Sequence, residues 1–282
     1  MTTESLLLGA VAYDPKVVTI WTGFRDWLRE HGLPFDYVLY SNYERQVEDL
    51  VAGRIQVAWN SPLAWVRARR LAAAAGRTVR AVLMRDTDRD LTSVVVVRAD
   101  SGIGQVSGLD GRVVGTGAVD SPQGTLIPLA QLAGLGVKVN VRRFDVGVGL
   151  HGDHIGGERD AVRALLAGEV DAAAMLDGSH LTFTREGLLP SGSTRVLAQT
   201  EPYDHCNMSA VDLAPSALVD RFEALLRGMS YDDAAVRPPL DLEGLTRWVS
   251  GRTDGYRALE AAVELFGFYG PAGEPAMPDY SP

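Results

Sequence analysis

Apolar and polar positions along this chain switch repeatedly between a two-residue and a 3.6-residue period. That alternation predicts strands followed by helices from one end to the other. Extended runs fall at 5–12 ("SLLLGAVA"), 35–40, 55–60, 79–85 and 92–99. Amphipathic helical stretches fill the gaps: 15–32 ending at Gly32, 41–53 ending at Gly53, and 62–76 ending at Gly76. A second series follows, with strands at 112–118, 137–145 and 170–176 and helices after the turn at 120–125 and over 157–169. The segment 194–202 reads as a strand returning the chain, and the tail as three helices at 215–229, 243–251 and 255–268.

Strand–helix alternation of this kind predicts an α/β fold with mainly parallel sheets flanked by helices. Extended segments near 92–100 and 195–204 are expected to cross between two lobes. The first lobe is then discontinuous, residues 1–97 plus 202–282, and the second is inserted as residues 98–201. Ligands of such sheets sit beyond the carboxyl ends of parallel strands, which here means the cleft between the lobes.

Composition narrows the partners. The 282 residues carry a net charge of −9, and only Lys16 and Lys138 of the 27 Lys and Arg are lysine. An acidic chain without a basic stripe is a poor binder of nucleic acid or anionic membrane, whereas a small anionic ligand can still be held locally by dipoles and one or two cations. No stretch approaches the roughly 20 apolar residues of a bilayer span. The opening "MTTESLLLGAVAYDP" has no basic leader and no small-residue cleavage site, so a cytoplasmic location is expected. A single cysteine, Cys206, leaves no internal disulfide. Nothing in the sequence speaks to oligomeric state.

The turn "DSPQGT" (120–125) carries the first candidate chemistry. A helix start offers unsatisfied N–H groups and a partial positive charge, so Ser121, Gln123, Gly124 and Thr125 are candidate ligand contacts. The same residues also suit an ordinary cap, with Ser121 or Asp120 at the N-cap and Pro122 behind it. The stretch is no dinucleotide fingerprint, because Asp120 stands at the third-glycine position. Tyr13, Tyr43 and Ser61 follow strand ends in the first lobe and are expected to face the same cleft.

The histidines form a second constellation. His151 and His154 lie in "LHGDHIGGE", His180 in "LDGSH" and His205 beside Cys206 in "YDHCN". The topology brings these loops, with Asp153, Glu158 and Asp177, towards one region. His151, His154 and His205 make a ligand set suited to Zn or Fe. The same imidazoles equally suit ligand hydrogen bonding or proton transfer. His151, His154, His205 and Cys206 are the catalytic candidates, although neighbours on an extended segment point to opposite sides, which separates His205 from Cys206.

In order along the chain, "AYDP", "YERQVEDLVAGRIQVAWNSPLAWV", "SGIGQVSGLDGRVVGTGAVDSPQGTLIP" and "GERDAVRALLAGEVDAAAMLD" resemble the substrate-binding components of phosphonate/phosphate ABC transporters, which have the type II periplasmic-binding fold. The resemblance implies two lobes around a cleft and a turn whose hydroxyls, here Ser121 and Thr125, grip phosphonate oxygens. It also implies roles for Arg159, standing where the family has a histidine, and for Asp177 as a kept acidic residue. Two functions follow. One is a cytosolic phosphonate-binding-protein-like module closing on a small anionic ligand through Tyr13, Tyr43, Ser61, Ser121, Gln123, Gly124, Thr125, Arg159, Asp177 and His180. The other is a cytosolic enzyme that has reused the cleft, as menaquinone and pyrimidine-precursor biosynthesis proteins of similar fold have, with His151, His154, His180 and His205 and Asp153, Glu158 or Cys206 carrying proton transfer or a metal.

Overall fold

The computed structural model describes residues 5–145, 154–278 and 280. It has two sheets. The first has the order β11-β4-β10-β3-β1-β2 and the second β7-β6-β8-β5-β9. The first-sheet strands are β1 (Leu6–Val11), β2 (Phe35–Tyr40), β3 (Val57–Asn60), β4 (Val79–Arg85), β10 (Asn207–Val211) and β11 (Trp248–Ser250). The second sheet comprises β5 (Ser93–Arg98), β6 (Val113–Thr116), β7 (Asn140–Arg143), β8 (Ala172–Leu176) and β9 (Thr194–Gln199). The helices are α1 (Lys16–Glu30), α2 (Tyr43–Val51), α3 (Pro62–Ala74), α4 (Ile127–Gly134), α5 (His154–Leu166), α6 (Asp177–Arg185), α7 (Ser216–Arg227), α8 (Arg237–Glu243) and α9 (Arg257–Phe266).

Both sheets are mixed rather than mainly parallel. β2-β1-β3 and β7-β6-β8 are parallel, whereas β10 and β11 run antiparallel in the first sheet and β5 in the second. The cause is the double crossing, which sends β5 and β10 into their sheets from the opposite direction. By sheet membership, β5 belongs wholly to the second lobe, so the first crossing falls near residue 91 rather than at 97–98. There Leu91 and Tyr203 exchange two backbone hydrogen bonds of 2.8 Å.

Helix α1 shows how the pattern becomes packing. Val17, Ile20, Trp21, Phe24 and Leu28 recur at helical spacing, and all are buried against the first sheet. Each such side chain contributes about 1.5–3 kcal/mol of transfer free energy. The expected helix over 243–251 is instead the end of α8, a turn and the edge strand β11. Tertiary packing decides this. Trp248 lies edge-on to Phe24 and Trp59 while its backbone pairs with Arg85 of β4. β10 and α6 are further elements that the pattern did not reveal.

Two features hold the cleft in place. A buried donor chain runs from the Gln46 amide to Asn60, from Asn60 to Ser209, from Ser209 to Asn207, from Asn207 to the Tyr256 hydroxyl, and from that hydroxyl to the His205 carbonyl, with lengths of 2.6–2.9 Å. It ties α2, β3, β10 and the start of α9 together and anchors the backbone at His205. The second feature is an apolar cluster that spans both lobes beside the crossings. In it Val119, Leu126 and Ile127 meet Trp65, Tyr203, Tyr256, Leu259 and Phe268.

Candidate functional site

Loops leaving β1, β3, β4 and β6 and the loop entering β10 converge on one interlobe cleft of about 620 Å³. Three helices present their N-terminal ends to it: α1 through Asp14, Pro15 and Lys16, α3 through Ser61 and Pro62, and α5 through His154 and Ile155. Ser61 caps α3, its Oγ accepting from the Ala64 N–H at 3.2 Å. Asp14 Oδ1 accepts from the Lys16 N–H at 2.8 Å. Aromatic walls come from Tyr13, Tyr43 and Trp59, and from Tyr269 and Tyr280 of the C-terminal segment. Burial raises the hydroxyl pKa of all four tyrosines, so they act as neutral donors or acceptors.

The sequence-stated candidates divide into two groups. Tyr13, Tyr43, Ser61, Gln123, His154, His205 and Cys206 line the cleft. The Oε1 of Gln123 is buried and has no hydrogen-bond partner among the described residues. Ser121, Gly124, Thr125, Arg159, Asp177 and His180 do not line it. The turn at 121–126 is a single π-type turn closed on itself. In it the Ser121 Oγ accepts from the Gly124 N–H at 3.0 Å, and the Thr125 hydroxyl donates to the Ala118 carbonyl at 2.8 Å. Fully buried Glu158 packs against Gly124. Arg159 pairs with Glu186 and lies over the Phe183 ring, 4.5 Å from its centroid. Asp177 starts α6, accepting from Thr92 and from the Gly178 N–H, both at 2.6 Å. His180 stands within α6, where burial lowers its imidazole pKa. His151 and Asp153 lie outside the described residues.

Of the expected metal set, His151 lies outside the described residues, and His154 and His205 face different carboxylates. His154 turns its Nε2 to Asp120 Oδ1 at 3.3 Å, whereas His205 directs its Nδ1 to Asp88 Oδ1 at 3.4 Å. His205 and Cys206 do not diverge as expected, because Cys206 Sγ stands 3.2 Å from the same Nδ1. Asp88, His205 and Cys206 are the one group of three such residues, among those described, whose ligand-bearing atoms all lie within 4.8 Å of one another.

Asp88, Arg85 and Glu243 escaped the sequence reading. Arg85 grips both oxygens of buried Asp88 at 2.5 and 2.8 Å and donates to the Glu243 carbonyl at 2.7 Å. Burial opposes ionisation of Asp88, but the guanidinium outweighs it and holds the carboxyl near 2. Burial pushes Glu243 the other way, up to about 7. The available signal was the run "RDTDRD" (85–90), an acidic turn directly after a strand in the first lobe.

Two mixed sheets joined by a double crossing around one cleft define the fold class of two-lobed periplasmic-type binding proteins. The methylphosphonate complex of PhnD1 from Prochlorococcus marinus aligns over 93% of this chain and 98% of its own, with a TM-score of 0.65 at 17% identity. XAC2383 from Xanthomonas citri, bound to ATP, aligns over 93% and 96%, with a TM-score of 0.68 at 16% identity. The binding component of a phosphonate ABC transporter from Pseudomonas aeruginosa aligns over 93% and 86%, with a TM-score of 0.59 at 13% identity. No curated protein sequence matches the chain. Residues 10–256 match the family described as ABC transporter, phosphonate, periplasmic substrate-binding protein, and the chain belongs to that family.

Proposed function

We propose that the protein binds a small organic molecule bearing a phosphonate- or phosphate-type oxyanion, and that its lobes close on that molecule. The observation carrying the reading is the convergence of three helix N-termini and Lys16 on one cleft. Each terminus brings unsatisfied N–H groups and about half a positive charge. Arg85 is already engaged by Asp88, so Lys16 is the cation best suited to the ligand. Asp14 and Asp120 in the same cleft oppose a bare, highly charged anion. They favour a ligand with one oxyanion head and an organic part resting on the tyrosines. The methylphosphonate bound by PhnD1 of Prochlorococcus marinus supports the head-group class.

The resemblance gives the grip to Ser121 and Thr125; Ser121 Oγ accepts from the Gly124 N–H, the Thr125 hydroxyl donates to the Ala118 carbonyl, and neither residue lines the cleft. Gln123 is the residue of that turn best suited to meet the ligand. Closure follows if the ligand binds the closed state more tightly, with the crossings at Leu91 and Tyr203 as the hinge. A thermal-shift panel of methylphosphonate, inorganic phosphate, alkylsulfonates and carboxylates tests the reading. Stabilisation by phosphonates or phosphate, accompanied by a change in Trp59 fluorescence, supports it. Stabilisation by neutral or cationic compounds alone overturns it.

A further inference from the structure

The same cleft that Lys16 lines is also lined by His205 and Cys206, with Asp88 buried behind them, and the binding reading makes no use of this group. Asp88 is 1% exposed, Cys206 is buried, and the His205 side chain keeps 22% exposure towards the cleft. The Sγ–Nδ1 and Nδ1–Oδ1 separations are 3.2 and 3.4 Å. Tetrahedral coordination with metal–sulfur, metal–nitrogen and metal–oxygen bonds near 2.3, 2.0 and 2.1 Å places neighbouring ligand atoms about 3.4–3.6 Å apart. Two of the three separations thus sit close to that spacing, and all three ligand atoms lie within 4.8 Å of one another.

We propose that Asp88, His205 and Cys206 form a mononuclear site for a transition-metal cation of the Zn(II) class, with one coordination position open to the interlobe cleft. The donor types are those such a cation takes: thiolate, imidazole and carboxylate. Arg85 leaves the site usable, because it takes one lone pair of each Asp88 oxygen; on Oδ1 the cation replaces the long 3.3 Å bond from the Cys206 N–H. Its role is to orient the carboxylate, as hydrogen-bonding partners behind metal ligands do. The charges balance: a divalent cation and Arg85 are matched by a Cys206 thiolate and the Asp88 and Glu243 carboxylates. On binding, the Sγ–metal bond forms as the thiol proton leaves to solvent. The site stands independently of the oxyanion reading.

Chelator-stripped full-length protein titrated with Co(II) alone is the test. The expected result is one ion per chain, a thiolate-to-cobalt charge-transfer band and release of a proton from the thiol. Cys206→Ser abolishes the band, while Asp88→Asn and His205→Gln each weaken Zn(II) affinity tenfold or more. His180→Ala, remote from the cleft, changes neither. Absence of the band in the folded wild type, or its survival in folded Cys206→Ser, overturns the proposal by leaving only a hydrogen-bonded thiol–imidazole pair. If Cys206→Ser does not fold, the wild type decides: Zn(II) raises its melting temperature with proton release, or the site is refuted.

Discussion

Removing a single oxygen, in Tyr256→Phe, breaks the chain that anchors the cleft. The Tyr256 hydroxyl accepts from Asn207 Nδ2 at 2.8 Å and donates to the His205 carbonyl at 2.7 Å, and the residue is fully buried. The phenyl ring keeps its packing against Trp65, 5.7 Å away between centroids, so hydrophobic burial is nearly unchanged. What is lost is two hydrogen bonds, and two buried groups are left without partners, at about 1–2 kcal/mol each. The expected destabilisation is about 2–4 kcal/mol, a fall in melting temperature of about 5–10 °C for a chain of this size. Scanning calorimetry measures it. The chain also acts as a unit, so Asn207→Ala combined with Tyr256→Phe is expected to cost clearly less than the sum of the two single changes. A melting temperature within about 1 °C of wild type, or strict additivity in the cycle, refutes the claim that this network holds His205 in place.

Three further outcomes follow from the same geometry. Ser121→Ala and Thr125→Val are each expected to lower stability by about 1 kcal/mol while leaving ligand affinity within twofold, because their hydroxyls serve the turn; chemical denaturation and calorimetric titration measure the two effects separately. Arg252→Ala strips buried Asp204 of a guanidinium partner at 2.6 Å next to the crossings, and a loss of about 2–3 kcal/mol is expected by denaturant unfolding. Glu243 is raised from 4.5 to about 7 in the fold, so the unfolded chain ionises first as pH rises. Its contribution to stability is therefore full below about pH 4.5 and lost by about pH 7, and Glu243→Gln is expected to flatten that part of the stability–pH curve.

The order of strands and helices was readable because most elements carry their own period, as in α1 and β2. The errors fall where neighbours overrule local pattern. "RWVS" becomes an edge strand because Trp248 finds Phe24 and Trp59, and α6 forms from "DGSHLTFTR" despite its β-branched threonines. The site was legible where a residue follows a strand end, as with Tyr13 and Ser61, and at the second crossing, which carries His205. It was illegible where orientation decides. Ser121 and Thr125 bond within their own turn, Arg159 found Glu186, and the His205 and Cys206 side chains meet instead of diverging. Beyond the acidic run that contains it, Asp88 gave no signal, since its importance arises from Arg85, which grips it, and His205, which reaches it across more than a hundred residues of chain.

Calorimetric titration of wild type and Lys16→Ala with methylphosphonate and inorganic phosphate addresses the binding claim most directly. Saturable one-to-one binding to the wild type is expected, weakened at least tenfold by Lys16→Ala and further by added salt. Oxyanion binding of equal strength in the two proteins would contradict the assignment of the cleft beside Lys16 as the ligand site.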